Sequence, residues 1–127
     1  MAEVVVDASA MVDLLLGNAV GAAVRRRLAG HALHAPAHLD AEILSALGQL
    51  HRAGDLGAED VESMLRDLVA APIQRHDVSD LLIGTWSRRH QLRLADALYV
   101  QLAVVRGLPL VTTDRRLHSA PAADLVA

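Results

Sequence analysis

Four acidic residues stand where apolar segments begin or end, and an acid beside a core element calls for a reason. Asp7 follows Val4-Val5-Val6. Glu42 opens the stretch Ile43-Leu44-Ser45-Ala46-Leu47. Asp96 lies inside Leu94-Ala95-Asp96-Ala97-Leu98-Tyr99, and Asp114 closes Leu108-Pro109-Leu110-Val111-Thr112-Thr113. Burying a carboxylate without a partner is costly. A hard divalent cation is a partner that all four can share, because carboxylate oxygens are the ligands Mg²⁺ and Mn²⁺ prefer. Four carboxylates in one pocket cannot all ionise without a counter-charge. A bound ion meets that need, and it makes water a nucleophile near neutral pH.

Read singly, each acid has a plainer alternative. Asp7 and Asp114 serve equally as turn or cap residues after a strand. Asp96 also suits the first turn of a helix, where the helix dipole favours a carboxylate. Glu42 alone is an ordinary solvated helix glutamate, and Asp40 competes with it for the ligand role. The case rests on the set. Thr112, two residues before Asp114, is either a strand residue facing a helix or a hydroxyl that orients ligand or water. Asp13 reads as helix surface more readily than as support for the site. Tyr99 reads as helix packing more readily than as site lining. Asp55, Glu59, Asp60, Glu62 and Asp67 form the solvated face of an amphipathic helix.

The elements that must position these acids follow from periodicity. Val4 to Val6 suits a buried parallel strand. Ser9 caps a helix to about Leu16, and a second helix runs from Val20 to Ala29. Ala32 to Ala35 is extended. Asp40 to Ala53 is helical, as are residues 57–71, where Val61, Met64, Leu65, Leu68 and Val69 mark one face. Ile73 to Val78 is a strand, and Ser79 caps a helix to about His90. Leu94 to Val105 is a helix, Leu108 to Thr113 a buried strand, and Asp124 to Ala127 a short final strand. Strands alternating with helices predict an α/β class fold, with a mostly parallel sheet between helical layers. Asp7 and Asp114 then stand at the carboxyl ends of strands, where open α/β sheets bind ligands.

Composition narrows the classes. The chain has 127 residues, which predicts a single domain over 1–127, and 53% of them are hydrophobic. Cysteine is absent, so disulfide frameworks and thiolate metal sites are excluded. No charge-free apolar run approaches the ~20 residues of a membrane span, and no signal peptide is visible; the expectation is a soluble, cytoplasmic protein. Net charge is −3, which does not by itself announce a nucleic-acid binder. All basic residues are arginine. GC-rich coding accounts for that, and so does phosphate recognition by Arg25-Arg26-Arg27, Arg88-Arg89 and Arg115-Arg116. His31, His34 and His38 have a spacing open to zinc but straddle a strand and Pro36. With so few aromatics, base stacking is not expected to dominate RNA recognition.

The runs Val5-Val6-Asp7-Ala8-Ser9-Ala10, Glu42 to Leu47, Ala95 to Ala103 and Leu110-Val111-Thr112-Thr113-Asp114 resemble, in order and spacing, a PIN domain. More narrowly the chain is similar to a VapC toxin of a bacterial toxin–antitoxin pair. The resemblance covers the whole chain. It implies a three-layer α/β/α sandwich with a central, mostly parallel sheet, and Mg²⁺-dependent (or Mn²⁺-dependent) endoribonuclease activity. It assigns the metal and catalytic acids to Asp7, Glu42, Asp96 and Asp114, with Thr112 as hydroxyl neighbour. Some relatives carry a further acid soon after the fourth; here Arg115 and Arg116 follow. The resemblance also implies an RNA substrate, a homodimer, and silencing by a small VapB-like antitoxin. An apolar groove on helices 20–29 and 40–53 is the expected antitoxin seat, and a stripe at Leu98 and Leu102 the expected dimer surface. Two other readings stand beside it. One is a non-catalytic PIN-like module that only binds partners. The other is a phosphoryl-handling α/β domain of receiver or haloacid dehalogenase type, whose lysine is missing here and whose second acid is replaced by Ser9.

Overall fold

The computed structural model describes residues 1–127. Five strands form one sheet: β1 (Glu3–Val6), β2 (Ala32–Pro36), β3 (Ile73–His76), β4 (Leu110–Thr112) and β5 (Ala123–Leu125). Their order is β3-β2-β1-β4-β5, and every pairing is parallel. The central strand β1 carries three consecutive β-branched residues, Val4, Val5 and Val6, all fully buried. A strand covered on both faces needs such an unbroken apolar run.

Six helices cover the two faces: α1 (Ala8–Leu16), α2 (Ala19–Leu28), α3 (Leu39–Arg52), α4 (Ala58–Ala70), α5 (Leu82–Trp86) and α6 (Leu94–Arg106). The first four pack against one another in one layer, while α6 lies on β1, β2 and β4 with α5 beside it. The α/β class and the α/β/α layering match the expectation from sequence. Leu39, Ile43 and Leu47 of α3 are fully buried at helical spacing, each worth about 2 kcal/mol of transfer free energy. On α6, Tyr99, Val100, Leu102 and Ala103 enter the core together. Helices α1 and α2 approach closely at Gly21, where a Cβ would stand 2.0 Å from the carbonyl oxygen of Asp13.

Three local readings need correction. Ser9 does not cap α1; Asp7 does, its Oδ1 accepting from the Ala10 N–H at 2.9 Å. The helix expected from Ser79 to His90 is instead a 3-10 turn at Val78–Leu81 followed by the short α5. The last strand begins at Ala123 rather than Asp124. No single helix is long and apolar enough to cross a membrane.

Strand order reverses direction at β1: the chain moves outward through β2 and β3, then returns to β4 on the other side. The carboxyl ends of β1 and β4 therefore open a crevice at the point where α/β sheets bind ligands.

Candidate active site

Asp7 sits at that crevice, directly after β1 and almost wholly buried. Its backbone N–H donates to the Val111 carbonyl at 3.2 Å, which ties it to β4. Three donors meet its carboxylate: the Thr112 hydroxyl at 2.5 Å, the Ser9 hydroxyl at 2.7 Å and the Ala10 N–H at 2.9 Å. Burial still outweighs these bonds. The Asp7 carboxyl is pushed up to about 6, chiefly by desolvation, with the nearby Asp114 charge adding to the effect.

Thr112 is fully buried at the end of β4. Its hydroxyl donates to Asp7 and accepts the backbone N–H of Asp114 at 3.0 Å. The Thr113 N–H donates to Ser9 at 3.2 Å, and the Thr113 hydroxyl to Asp13 at 2.7 Å. The ends of β1, α1 and β4 are thus laced by side-chain hydroxyls. Asp13, read from sequence as helix surface, belongs to this lacing.

The other acids each have a partner. Asp114 receives Arg116 as a fork, Nε at 3.0 Å from Oδ1 and a terminal nitrogen at 2.5 Å from Oδ2. That guanidinium holds the Asp114 carboxyl below the usual range. Asp96, in the first turn of α6, accepts from Arg93 Nε at 3.3 Å. Glu42 accepts from the hydroxyl of Tyr99 at 2.5 Å and lies 3.4 Å from Nε2 of His38. Burial pushes the pKa of the Tyr99 phenol well up, as do its bond to Glu42 and the charges of Glu42, Asp7 and Asp96. Tyr99 is therefore a common neighbour of three of the four acids, and Asp7 is the neighbour of the fourth.

Tyr99 and His38 are the members that sequence reading placed elsewhere. Tyr99 is fully buried, as packing requires, yet its hydroxyl reaches the site. His38 tilts against the Tyr99 ring with centroids 4.6 Å apart, and its Nε2 lies 3.0 Å from the Ala95 carbonyl. The spacing of Tyr99 three residues after Asp96 was the available signal. For His38 it was the helical i, i+4 relation to Glu42. The three histidines open to zinc do not converge: His34 contacts His76 and Glu3, while His31 contacts the Ala29 carbonyl. Asp40 is forked by Arg75 at 2.9 Å and lies with it along the groove between α3 and α4.

The donor set fits a hard cation in chemistry and charge. Asp114 lies near buried Asp7, and Glu42 and Asp96 lie near Tyr99, which Asp7 also neighbours. As placed, no three His, Asp or Glu side chains stand close enough together to hold an ion. Asp114 and Asp96 are turned onto arginines instead.

The sequence and the fold have known relatives. Residues 4–123 match the PIN domain model. The chain is 58% identical over 119 residues to Ribonuclease VapC3 of Mycobacterium tuberculosis, covering 93% of this chain and 87% of that protein. Among solved structures it is similar to PAE2754 from Pyrobaculum aerophilum, with a TM-score of 0.68 at 24% identity, over 98% of this chain and 84% of that one. A toxin–antitoxin complex from Klebsiella pneumoniae contains a similar fold, with a TM-score of 0.66 at 16% identity, covering 95% of both chains. The PIN-domain match over residues 4–123, with 58% identity to a VapC ribonuclease along nearly the whole sequence, places the chain in the PIN-domain family, among the VapC ribonucleases.

Proposed function

We propose that this chain is a metal-dependent endoribonuclease, the toxin of a toxin–antitoxin pair, that hydrolyses RNA phosphodiesters with water as nucleophile. One observation carries the reading. Asp7 is buried at the sheet's reversal point, carries a raised pKa with the Asp114 charge beside it, and shares Tyr99 as a neighbour with Asp96 and Glu42. A chain keeps such a costly carboxylate where a cation will meet it. The relationship to Ribonuclease VapC3 supports the substrate class.

Asp7, Asp96, Asp114 and Glu42 would hold Mg²⁺ or Mn²⁺. When bound, the ion supplies a Lewis acid for the phosphate and a lower pKa for water. The chain's own residues do the rest. Ser9 and Thr112 fix both oxygens of Asp7, so its lone pairs point in one direction. Thr112 also pins the Asp114 backbone, which keeps the two acids on adjacent strand ends at a fixed spacing. Tyr99 and His38 orient Glu42 from beneath. Arg93 and Arg116 stand at the rim, where guanidinium groups can grip RNA phosphates. Val6, directly before Asp7, and the Tyr99 ring are buried and give the site an apolar floor.

Partners follow from surface chemistry. An apolar groove between α3 and α4, with Leu44, Leu65 and Val69 on its walls, suits an amphipathic antitoxin helix. The groove uses α3, one of the two helices expected from sequence, while α2 turns Val24 and Leu28 into the core. The dimer stripe also changes, because Leu102 is in the core. Leu82, Ile83, Trp86 and Leu94 around Leu98 are the exposed apolar residues there, and we assign them to a homodimer contact. The reading carries a cytoplasmic location, where RNA and antitoxin are both met.

Thermal unfolding with and without Mg²⁺ or Mn²⁺ tests the site. A ligand that binds only the folded state raises its stability. The wild-type chain should gain, and the Asp7→Asn, Asp96→Asn double variant should not. An equal gain in the double variant would overturn the assignment.

A further inference from the structure

Arg116 faces two ways. Its fork closes on Asp114, and the same side chain lines a polar cavity of about 570 Å³ between the end of α5 and the turn after β4. Arg88, Ser87, Gln91 and Ser119 line that cavity as well, and no carboxylate does. Its size falls in the range of about 300–1,000 Å³ usual for ligand sites. Arg88 is preset: its Nε donates to Gln101 at 3.0 Å, which uses one nitrogen and leaves the terminal pair directed elsewhere. Gln101 fits there only because residue 84 is glycine, since a Cβ would stand 2.1 Å from its amide nitrogen. Two arginines, two serines and an amide with no acid among them form a receptor for a phosphodiester.

We infer that Arg116 is a metal-coupled switch: it neutralises Asp114 while the acids are without a cation, and turns into this cavity with Arg88 to hold an RNA backbone phosphate when a cation takes Asp114. The inference rests on the metal reading above and adds a regulated substrate contact to it. Its physical basis is competition. Asp114 presents the same two oxygens to Arg116 that it would present to a metal, and it cannot satisfy both fully. Asp114 is held by Arg116, and Asp96 by Arg93. The switch makes substrate binding depend on the cation, because the guanidinium is released only when the cation arrives. Arg116 is exposed over most of its length, so nothing steric opposes the turn.

Two measurements on the intact chain test it. In the first, Mn²⁺ is titrated calorimetrically into metal-free protein without RNA. Arg116→Gln should bind Mn²⁺ more tightly than wild type by roughly tenfold, as expected when one charge-assisted competitor is removed. Arg88→Gln should bind it as wild type does. In the second, a short single-stranded RNA is bound by fluorescence anisotropy over a range of salt, in Ca²⁺ and in EDTA. Each phosphate contact contributes about 0.7 to the logarithmic salt slope for single strands. Arg116→Gln should lower the slope by about that much in Ca²⁺ and leave it unchanged in EDTA, whereas Arg88→Gln should lower it in both. Wild-type Mn²⁺ binding with no gain in Arg116→Gln would overturn the switch and leave the metal site standing. No Mn²⁺ binding by the wild-type chain would remove both.

Discussion

The hydroxyl of Thr112 donates to Oδ2 of Asp7 across 2.5 Å, joining residues 105 positions apart at the ends of two adjacent strands. The Thr112 hydroxyl oxygen also accepts the Asp114 N–H. One hydroxyl thus sets the distance between the two strand-end acids. Thr112→Val keeps the shape but removes both bonds. It should destabilise the fold by about 2 kcal/mol, the cost of leaving buried polar groups unpaired, and reduce RNA cleavage. Urea denaturation at neutral pH checks the first effect; a stability equal to wild type would show that the bridge does not matter.

Asp7 predicts an inverted pH dependence. The folded chain holds its proton up to about 6, against an ordinary value of 3.8. Stability from this group is full below the unfolded value and is lost as pH rises through 6. In EDTA, Asp7→Asn should remove that loss and be more stable than wild type at pH 7.5 by about 1–3 kcal/mol, with the difference gone near pH 4. The same substitution should abolish cleavage. Denaturation curves across that range decide it; a variant weaker than wild type at pH 7.5 would mean that Asp7 stabilises the metal-free fold.

Tyr99→Phe isolates the support of Glu42. The ring stays in the core, and only the hydroxyl bond to the carboxylate is lost. A bond to a charged acceptor is worth about 1.5–3 kcal/mol, discounted here to about 1 because Glu42 is partly solvated. Cleavage should fall severalfold while the melting temperature drops only a few degrees. Unchanged cleavage would place Glu42 outside the reaction.

Gly84→Ala should leave stability within about 1 kcal/mol of wild type, because better helix propensity offsets the shift of a flexible glutamine. It should nevertheless weaken RNA binding, since Gln101 loses its place beside Arg88. Anisotropy and melting of the one variant separate the two. A loss of stability with RNA affinity intact would contradict the link from Gly84 to Arg88.

The centre of the sheet was legible in the sequence because β1 and β4 are short, apolar and bounded by turns. Val4-Val5-Val6 and Leu110-Val111 leave no other reading. The stretch after β3 misled, since Ser79 stands where a cap belongs, yet the chain makes a 3-10 turn and α5 ends at Trp86. Asp7 and Thr112 were legible as strand-end residues. The roles of Tyr99 and His38 were not, because both are contacts between α3 and α6 that no local pattern encodes. Leu102 shows the same limit: its helical stripe is real, but only packing decides which stripe of α6 meets the sheet.

The central claim is cleavage by water at carboxylates that hold a cation, and the ends of the RNA products test it most directly. Purified chain is incubated with RNA in Mg²⁺, and the products are probed for their termini, with EDTA and Asp7→Ala as controls. Attack by water spares the 2′-hydroxyl and leaves 5′-phosphate and 3′-hydroxyl ends. The account predicts those ends, in Mg²⁺ only, and no cleavage by Asp7→Ala, which should remain folded. Products bearing 2′,3′-cyclic phosphate, or cleavage that persists in EDTA, would contradict it.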